Sequence, residues 1–442
     1  MKENKTVAVG SLTQRDTITG LVIIGFMFFM FGFTSWINAI LIPYFKIAFQ
    51  LSHAASYLVA FAFYISYLIF SVPSSFLLKR VGFKKGMMIG FWVMSAGAFI
   101  FVPAAITMTY TLFLLGLFSI GAGLALLQTA ANPYITILGP KETALRRFSI
   151  MGICNKGAGI LAPLLFAAVI FRVTDGDMFD QLSQMSAAEK DAALHELIQR
   201  IIVPYACVGV FLFLIGLFIR FSPLPEIDTE HESEEVAQAN STKTSITQFP
   251  HLVLGAVAIF LHVGTQVISI DTVISYAGTM NLNLIEAKVF PSYTLTAQIC
   301  AYLVGISLVP RFLSQLTALK ISTVFGLILT LLIIFAKGQV SFLGHTNDIS
   351  LWFVVMLGLA NSLVWAGIWP LALDGLGRFT KIGASLMIMG LAGNAILPLI
   401  YGYLVDISNA RDAYWVLFPC YLYLIFYAFR GYALRSWSKI KI

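Results

Sequence analysis

Charge is what this sequence has least of. Only 11% of its 442 residues are Asp, Glu, Lys or Arg, while 59% are hydrophobic. A soluble domain carries about 25% charged residues. A fold in water could not hide so much apolar surface, so lipid is the expected solvent for most of the chain. Cysteine is also scarce. Cys154, Cys207, Cys300 and Cys420 all fall inside apolar stretches with no metal-ligand spacing. They read as buried small residues, which excludes a disulfide framework and leaves no metal site to expect. No P-loop, HExxH or GxSxG run occurs. ATP-driven transport and enzymatic chemistry are therefore not expected, and no cofactor is. A ring-forming filter motif is missing too, which argues against a channel. The net charge of +7 forms no Arg/Lys–aromatic patch, so nucleic acid is not an expected partner. The N-terminus from Met1 to Asp16 is polar, and no small-residue cleavage pattern follows the first apolar stretch. A removable signal peptide is not expected.

What is present is a series of apolar runs. A membrane helix needs about 20 mostly apolar residues. Twelve candidates lie near 20–46, 54–78, 86–106, 111–138, 148–171, 202–221, 250–280, 289–310, 321–339, 350–372, 382–405 and 412–434. With the N-terminus placed in the cytoplasm, the outer loops hold only Lys46, Arg172, Lys190, Arg200, Lys288, Lys337 and Arg411. Every other Lys or Arg except Lys156 falls on the inner side. This is the positive-inside pattern, and it predicts cytoplasmic termini at a cell membrane. Every acidic residue except Asp271 lies in a loop or tail. The membrane interior thus holds one charge of each sign.

The stretch 222–249 is acidic and rich in Ser and Thr, and reads as a solvated linker. It predicts a first bundle over 1–221 and a second over 250–442, each of six helices. Asn132-Pro133 and Pro163 in the first half echo Trp369-Pro370 and Pro398 in the second. Parallel repeats of this kind place a solute site at mid-membrane between them. The polar outer segment SAAEKDAALHELIQRI has helical periodicity and predicts a surface helix.

The second loop, FLLKRVGFKKGM (76–87), resembles the basic loop of the major facilitator superfamily, with Lys79 where that motif has an acidic residue. GAGLALLQTAANPYITILGP (121–140) and RRFSIMGICNKGAGILAPL (146–164) resemble the fucose/galactose/glucose:cation symporter family, and its bacterial glucose/galactose-type members in particular. NAILIPYFKIAF (38–49), YTLFLLGLF (110–118) and HVGTQVISIDTVISYAG (262–278) match as well. The resemblance implies the major facilitator fold: an all-α membrane protein of twelve transmembrane helices in two pseudo-symmetric six-helix bundles. It further implies a bacterial inner-membrane location and import of a neutral hexose by proton or sodium symport. The expected partners are the sugar, the coupling cation and lipid, and the expected unit is a monomer. In the family's proton-coupled fucose transporter, an acidic residue in span 1 and another in span 4 carry the coupling. Ala39 and Gln128 stand at those positions here. Two alternatives follow: an uncoupled sugar facilitator, or a symporter of an amino sugar or sugar acid, the latter motivated by Lys156.

Lys156 in span 5 and Asp271 in span 7 are the candidate coupling residues. A charge at a helix centre costs about 2.5–3.5 kcal/mol on insertion scales, so such residues pair or line a wet cavity. An exchange is one reading: Lys156 holds Asp271 in one state, and a proton or sodium ion replaces it in another. A static salt bridge that fixes packing is the other. The candidate substrate-binding residues are amides: Asn38, Gln128, Asn132, Asn155, Gln266, Asn361 and Asn394. Carboxamides offer both a donor and an acceptor to adjacent sugar hydroxyls, without charge. The same residues also serve as interhelical hydrogen-bonders in membranes. Trp365 joins them, because Asn361, Trp365 and Trp369 form one stripe at helical spacing. Its ring offers a face for the C–H side of a pyranose. Trp36, Tyr64 and Tyr293 are further aromatic candidates. On span 7, His262, Gln266 and Ser269 share a face. Asp271 lies about 140° around from Gln266 on a regular helix. A break is therefore predicted between Gly264 and Gly278.

Overall fold

The structure is a computed structural model. It describes residues 6–8, 14–51, 58–170, 184–224, 226–228, 240–280 and 289–437, with residues 55, 172, 238, 282 and 287 between them.

Twelve helical passages run through it. Span 1 is Gln14–Trp36 continued by Asn38–Ala48. Spans 2 and 3 are one long helical trace, Leu58–Ile106, broken at Gly82, whose φ of 79° and ψ of 174° suit a residue without Cβ. Spans 4, 5 and 6 are Tyr110–Ile137, Ala144–Ile170 and Ile202–Phe221. Span 7 is Pro250–Asp271 followed by Val273–Gly278. Spans 8, 9 and 10 are Phe290–Leu308, Gln315–Phe335 and Ile349–Ala372. Span 11 is Thr380–Met389, a 3-10 turn and Gly393–Ile407. Span 12 ends in Leu417–Phe429 after a 3-10 turn. The predicted break in span 7 falls at Thr272, inside the expected window. The predicted surface helix is Ala187–Gln199, opened by a capping box between Ser186 and Glu189. Short strands add two further ties. Thr6–Ala8 pairs in parallel with Glu226–Asp228, and Gln339–Phe342 pairs antiparallel with His345–Asp348.

Helix contacts depend on small residues, as expected where lipid gives no hydrophobic drive between helices. A Cβ on Gly123 in span 4 would lie 2.5 Å from the Gly90 carbonyl oxygen in span 3. A Cβ on Gly97 would lie 2.8 Å from the Gly116 carbonyl oxygen. Spans 3 and 4 therefore approach backbone to backbone. The basic loop after span 4 is also structural. Arg147 donates to the carbonyls of Ile135 at 2.9 Å, Thr136 at 3.0 Å and Pro140 at 3.0 Å. It satisfies carbonyls at the end of a helix that has no further turn to receive them.

The two bundles meet at the end that carries the linker and the termini. The Leu145 amide donates to Gln315 Oε1 at 3.0 Å. Phe148 stacks on Trp369 at 6.4 Å between centroids. Lys381 lies 5.5 Å from the Phe83 ring centroid. Gly152 makes room for the ring of Tyr302. At the other end, the described contacts stay inside one bundle. Tyr44 donates to the Leu197 carbonyl, and Arg411 binds Asp348 and donates to Tyr276 at 3.1 Å. Asp348 is held below the ordinary carboxylate range: partial burial opposes this, but bonds from Ser350 and the charge of Arg411 outweigh it. The molecule is closed at one end and parted at the other.

Gly123→Leu should destabilise the protein by about 1–3 kcal/mol, the usual cost of overpacking. Gly402→Ala, which meets nothing within 4 Å, should be close to neutral. Thermal unfolding of both variants in detergent checks the contrast; equal loss in both would refute the close-approach account.

Candidate functional site

The parted space between the bundles is where the two membrane charges lie. Lys156 stands mid-way along span 5, and Asp271 is the last residue of the long helix of span 7. Asp271 is exposed, although Ile270, Thr272 and Val273 beside it are buried. Its electrostatic neighbours are Tyr64 and Lys156, both from the other bundle. Its carboxylate therefore looks across the gap. The two charges do not form a salt bridge: among the described residues, no ion pair joins Lys156 to Asp271. Lys156 Nζ instead donates to Gln266 Oε1 at 3.3 Å and sits 4.6 Å from the Trp36 ring centroid. Gln266 Nε2 donates in turn to Gln298 Oε1 at 3.5 Å. A polar chain thus runs from span 5 through span 7 to span 8 across the bundle interface.

The first bundle contributes a second group. Gln128 is half-buried and donates to the Tyr67 hydroxyl at 3.2 Å. Asn132, one turn on, donates to the Gln128 carbonyl at 2.9 Å, and its Oδ1 is buried without a partner among the described residues. Tyr64 and Tyr67 stack at 6.2 Å on span 2. Since Tyr64 neighbours Asp271, this aromatic pair connects the amides to the charge gap. Asn155 donates to the Phe28 carbonyl at 3.3 Å and so ties span 5 to span 1. The side chain of Asn38 lies outside the described residues, as does that of Ala39.

The other sequence candidates lie deeper in the second bundle. Asn361 Oδ1 accepts from Thr265 at 3.2 Å and Tyr421 at 2.8 Å. This joins spans 7, 10 and 12. Trp365 is half-buried and packs against Trp369 at 5.5 Å, while Trp369 itself is buried. Their shared stripe therefore leads into the closed interface as well as toward the site. Asn394 is 8% exposed, and its Oδ1 has no partner among the described residues. His262 is fully buried near Lys156, and neither of its ring nitrogens has a hydrogen-bond partner among the described residues.

Unpaired buried polar atoms cost about 1–3 kcal/mol each. Among the described residues, those without a partner include Asn132 Oδ1, Gln298 Nε2, Asn361 Nδ2, Asn394 Oδ1 and both His262 nitrogens, beside others far from the gap such as Trp92 Nε1 and Asn347 Nδ2. Gln298 and Tyr67 were missed from sequence. Gln298 is a lone amide within apolar span 8, so the rule that selected Gln266 would have found it. Tyr67 carries no such signal, because one tyrosine in an aromatic-rich span does not announce its partner. As for ions, Ser269 and Thr272 near Asp271 turn their hydroxyls back to the carbonyls of Gln266 and Ile268. They do not face the carboxylate as a ready oxygen cage.

The model of the Major Facilitator Superfamily matches residues 24–398. A glucose/galactose transporter of Brucella abortus (biovar 1, strain 9-941) is 31% identical over 434 residues, covering 97% of this chain and 98% of that protein. The L-fucose-proton symporter of Escherichia coli K12 is 28% identical over 403 residues, covering 90% and 89%. Among solved structures, the major facilitator transporter FucP in its outward conformation superposes with a TM-score of 0.78 at 26% identity, over 96% of this chain and 100% of that one. With twelve helical passages in two bundles and a polar site between them, the chain belongs to the Major Facilitator Superfamily and is an integral membrane transporter, not an enzyme.

Proposed function

We propose that this protein imports a neutral hexose of the glucose or galactose type by proton symport, through alternating access of its two bundles. The observation that carries this reading is the Asp271 carboxylate, which has no ion pair among the described residues. It is exposed to the gap between the bundles and lies within electrostatic reach of a lysine bound elsewhere. The named relatives transport glucose, galactose or fucose, and the amides beside the gap suit neutral hydroxyls. Gln128, Asn132, Gln266 and Gln298 offer donors and acceptors without charge. Tyr64 and Tyr67 supply faces for apolar contact.

The termini belong in the cytoplasm on the charge pattern of the loops, so the described state opens outward. In it, Asp271 takes a proton from the outer solution. Sugar then binds between the bundles, and their rocking closes the outer side. Lys156 leaves Gln266 for Asp271, and the carboxylate releases its proton to the inner solution. The lysine stays charged throughout, so one proton enters per cycle. A proton needs only one titratable group, whereas sodium needs several oxygen ligands. The hydroxyls turned away from Asp271 favour the proton. A second reading, uncoupled facilitation, is favoured by Ala39 and Gln128, neither of which can titrate.

Labelled glucose uptake into proteoliposomes under an inward proton gradient, without sodium, tests the proposal. Transient accumulation above equilibrium, abolished by a protonophore, is the expected result. Equilibration alone would eliminate proton coupling, and an inward sodium gradient would then separate sodium symport from facilitation. Asp271→Asn should lose accumulation but keep glucose exchange. Asn132→Ala should raise the KM of exchange about tenfold, as for loss of one hydrogen bond worth ~1.4 kcal/mol; an unchanged KM would remove Asn132 from the sugar site. Competition by glucosamine or glucuronate stronger than that by glucose would shift the substrate to a charged sugar.

A further inference from the structure

The Lys156 ammonium has an aromatic face, an amide and a carboxylate in its neighbourhood. It takes the first two. Its Nζ lies 4.6 Å from the Trp36 centroid and 3.3 Å from Gln266 Oε1. Asp271, the one opposite charge in the membrane interior, is left aside. Attraction between opposite charges grows as water is withdrawn, so a specific holder has to keep the lysine elsewhere.

Two separate features build that holder. Gly159 lies three residues after Lys156 on span 5, on the same helical side. A Cβ there would fall 2.6 Å from Trp36 Cδ1 and 2.9 Å from Nε1. Only glycine leaves a seat for the indole against span 5 beside the lysine. On the opposite bundle, Gln298 Oε1 accepts from Gln266 Nε2 at 3.5 Å. That bond turns the amide so that its oxygen meets the ammonium. An unanchored amide could present either end. The clasp therefore joins span 1 and span 5 to span 7 and span 8.

We propose that Trp36, seated on Gly159, is a positioning residue for coupling: it holds Lys156 on Gln266 and off Asp271 while the gap is open. The inference rests on the reading of Asp271 as the coupling carboxylate. It also moves Trp36 from sugar stacking to cation holding. Gln266 and Asp271 are five residues apart, about 7.5 Å of helix rise. Rocking of one bundle against the other carries the ammonium from the first to the second, a shift of little more than a turn. The other titratable groups at hand are Tyr64 from span 2, which faces Asp271, Tyr67 beside Tyr64, and His262 from span 7, which faces Lys156.

Infrared titration of the full-length protein in lipid nanodiscs, without sugar, is the test. The carboxyl band that disappears in Asp271→Asn reports the protonation midpoint of Asp271. Trp36→Leu should lower that midpoint by about half to one pH unit, because the freed ammonium moves toward the carboxylate. Trp36→Phe should lower it less, and Gly159→Ala should lower it by displacing the indole. In a Lys156→Gln background, Trp36→Leu should change nothing further. A midpoint that Trp36→Leu leaves unmoved, or shifts equally in both backgrounds, overturns the proposal. Glucose exchange in proteoliposomes verifies that each variant is folded, and Trp36→Phe carries the test if the leucine variant is not. A variant that raises only the KM of exchange, with the midpoint unmoved, assigns the indole to the sugar and also overturns it. Absence of proton-driven accumulation in the unaltered protein would defeat the symport reading, while the midpoint shift still decides the clasp.

Discussion

Hydrocarbon does not solvate charge, and the arrangement of this protein follows from that. Twelve passages of apolar helix can cross lipid because each satisfies its own backbone. A charged side chain has no such internal remedy. Lys156 and Asp271 are tolerated because they meet at a gap between two bundles, where protein and water replace lipid as surroundings. Lys156 is stabilised by an indole face and an amide oxygen. Asp271 opens to the gap. The two charges thus have different surroundings, and among the described residues no ion pair joins them.

The gap exists because the bundles are joined unevenly. At the end carrying the termini, Lys381 on Phe83, Phe148 on Trp369 and Leu145 to Gln315 cross from one bundle to the other. At the far end, Arg411, Asp348 and Tyr276 bind one another within the second bundle, and Tyr44 binds Leu197 within the first. Each bundle is stiff inside, through close backbone approaches such as Gly90 to Gly123. Rigid bundles with a one-sided contact can rock about the site without repacking their cores.

Much of this was legible in the sequence, and unevenly so. Lys156 and Asp271 stood out because a charge in an apolar run is costly wherever it lies. The break in span 7 followed from geometry alone, since Gln266 and Asp271 cannot share a face of a regular helix, and the structure breaks at Thr272. Gln298 follows the same logic as Gln266, being a lone amide in an apolar span. Other features were not legible. The spacing of Asn361, Trp365 and Trp369 fixes a helix face but not its neighbour. Only packing shows that Asn361 meets Thr265 and Tyr421, and that Trp369 turns to Phe148. Likewise, the seat that Gly159 makes for Trp36 links residues more than a hundred positions apart, and no local pattern records it.

The sequence by itself determined the solvent, the number of passages, the division into two bundles and the identity of the two membrane charges. These depend on composition and on the period of the helix, both of which are local quantities. The tertiary structure decided which end of the molecule is closed, which amides touch, and that Lys156 binds Gln266 and Trp36 instead of Asp271. Those outcomes depend on distances between side chains on different helices. A change of a few ångströms in the meeting of two bundles exchanges one partner for another without altering a residue.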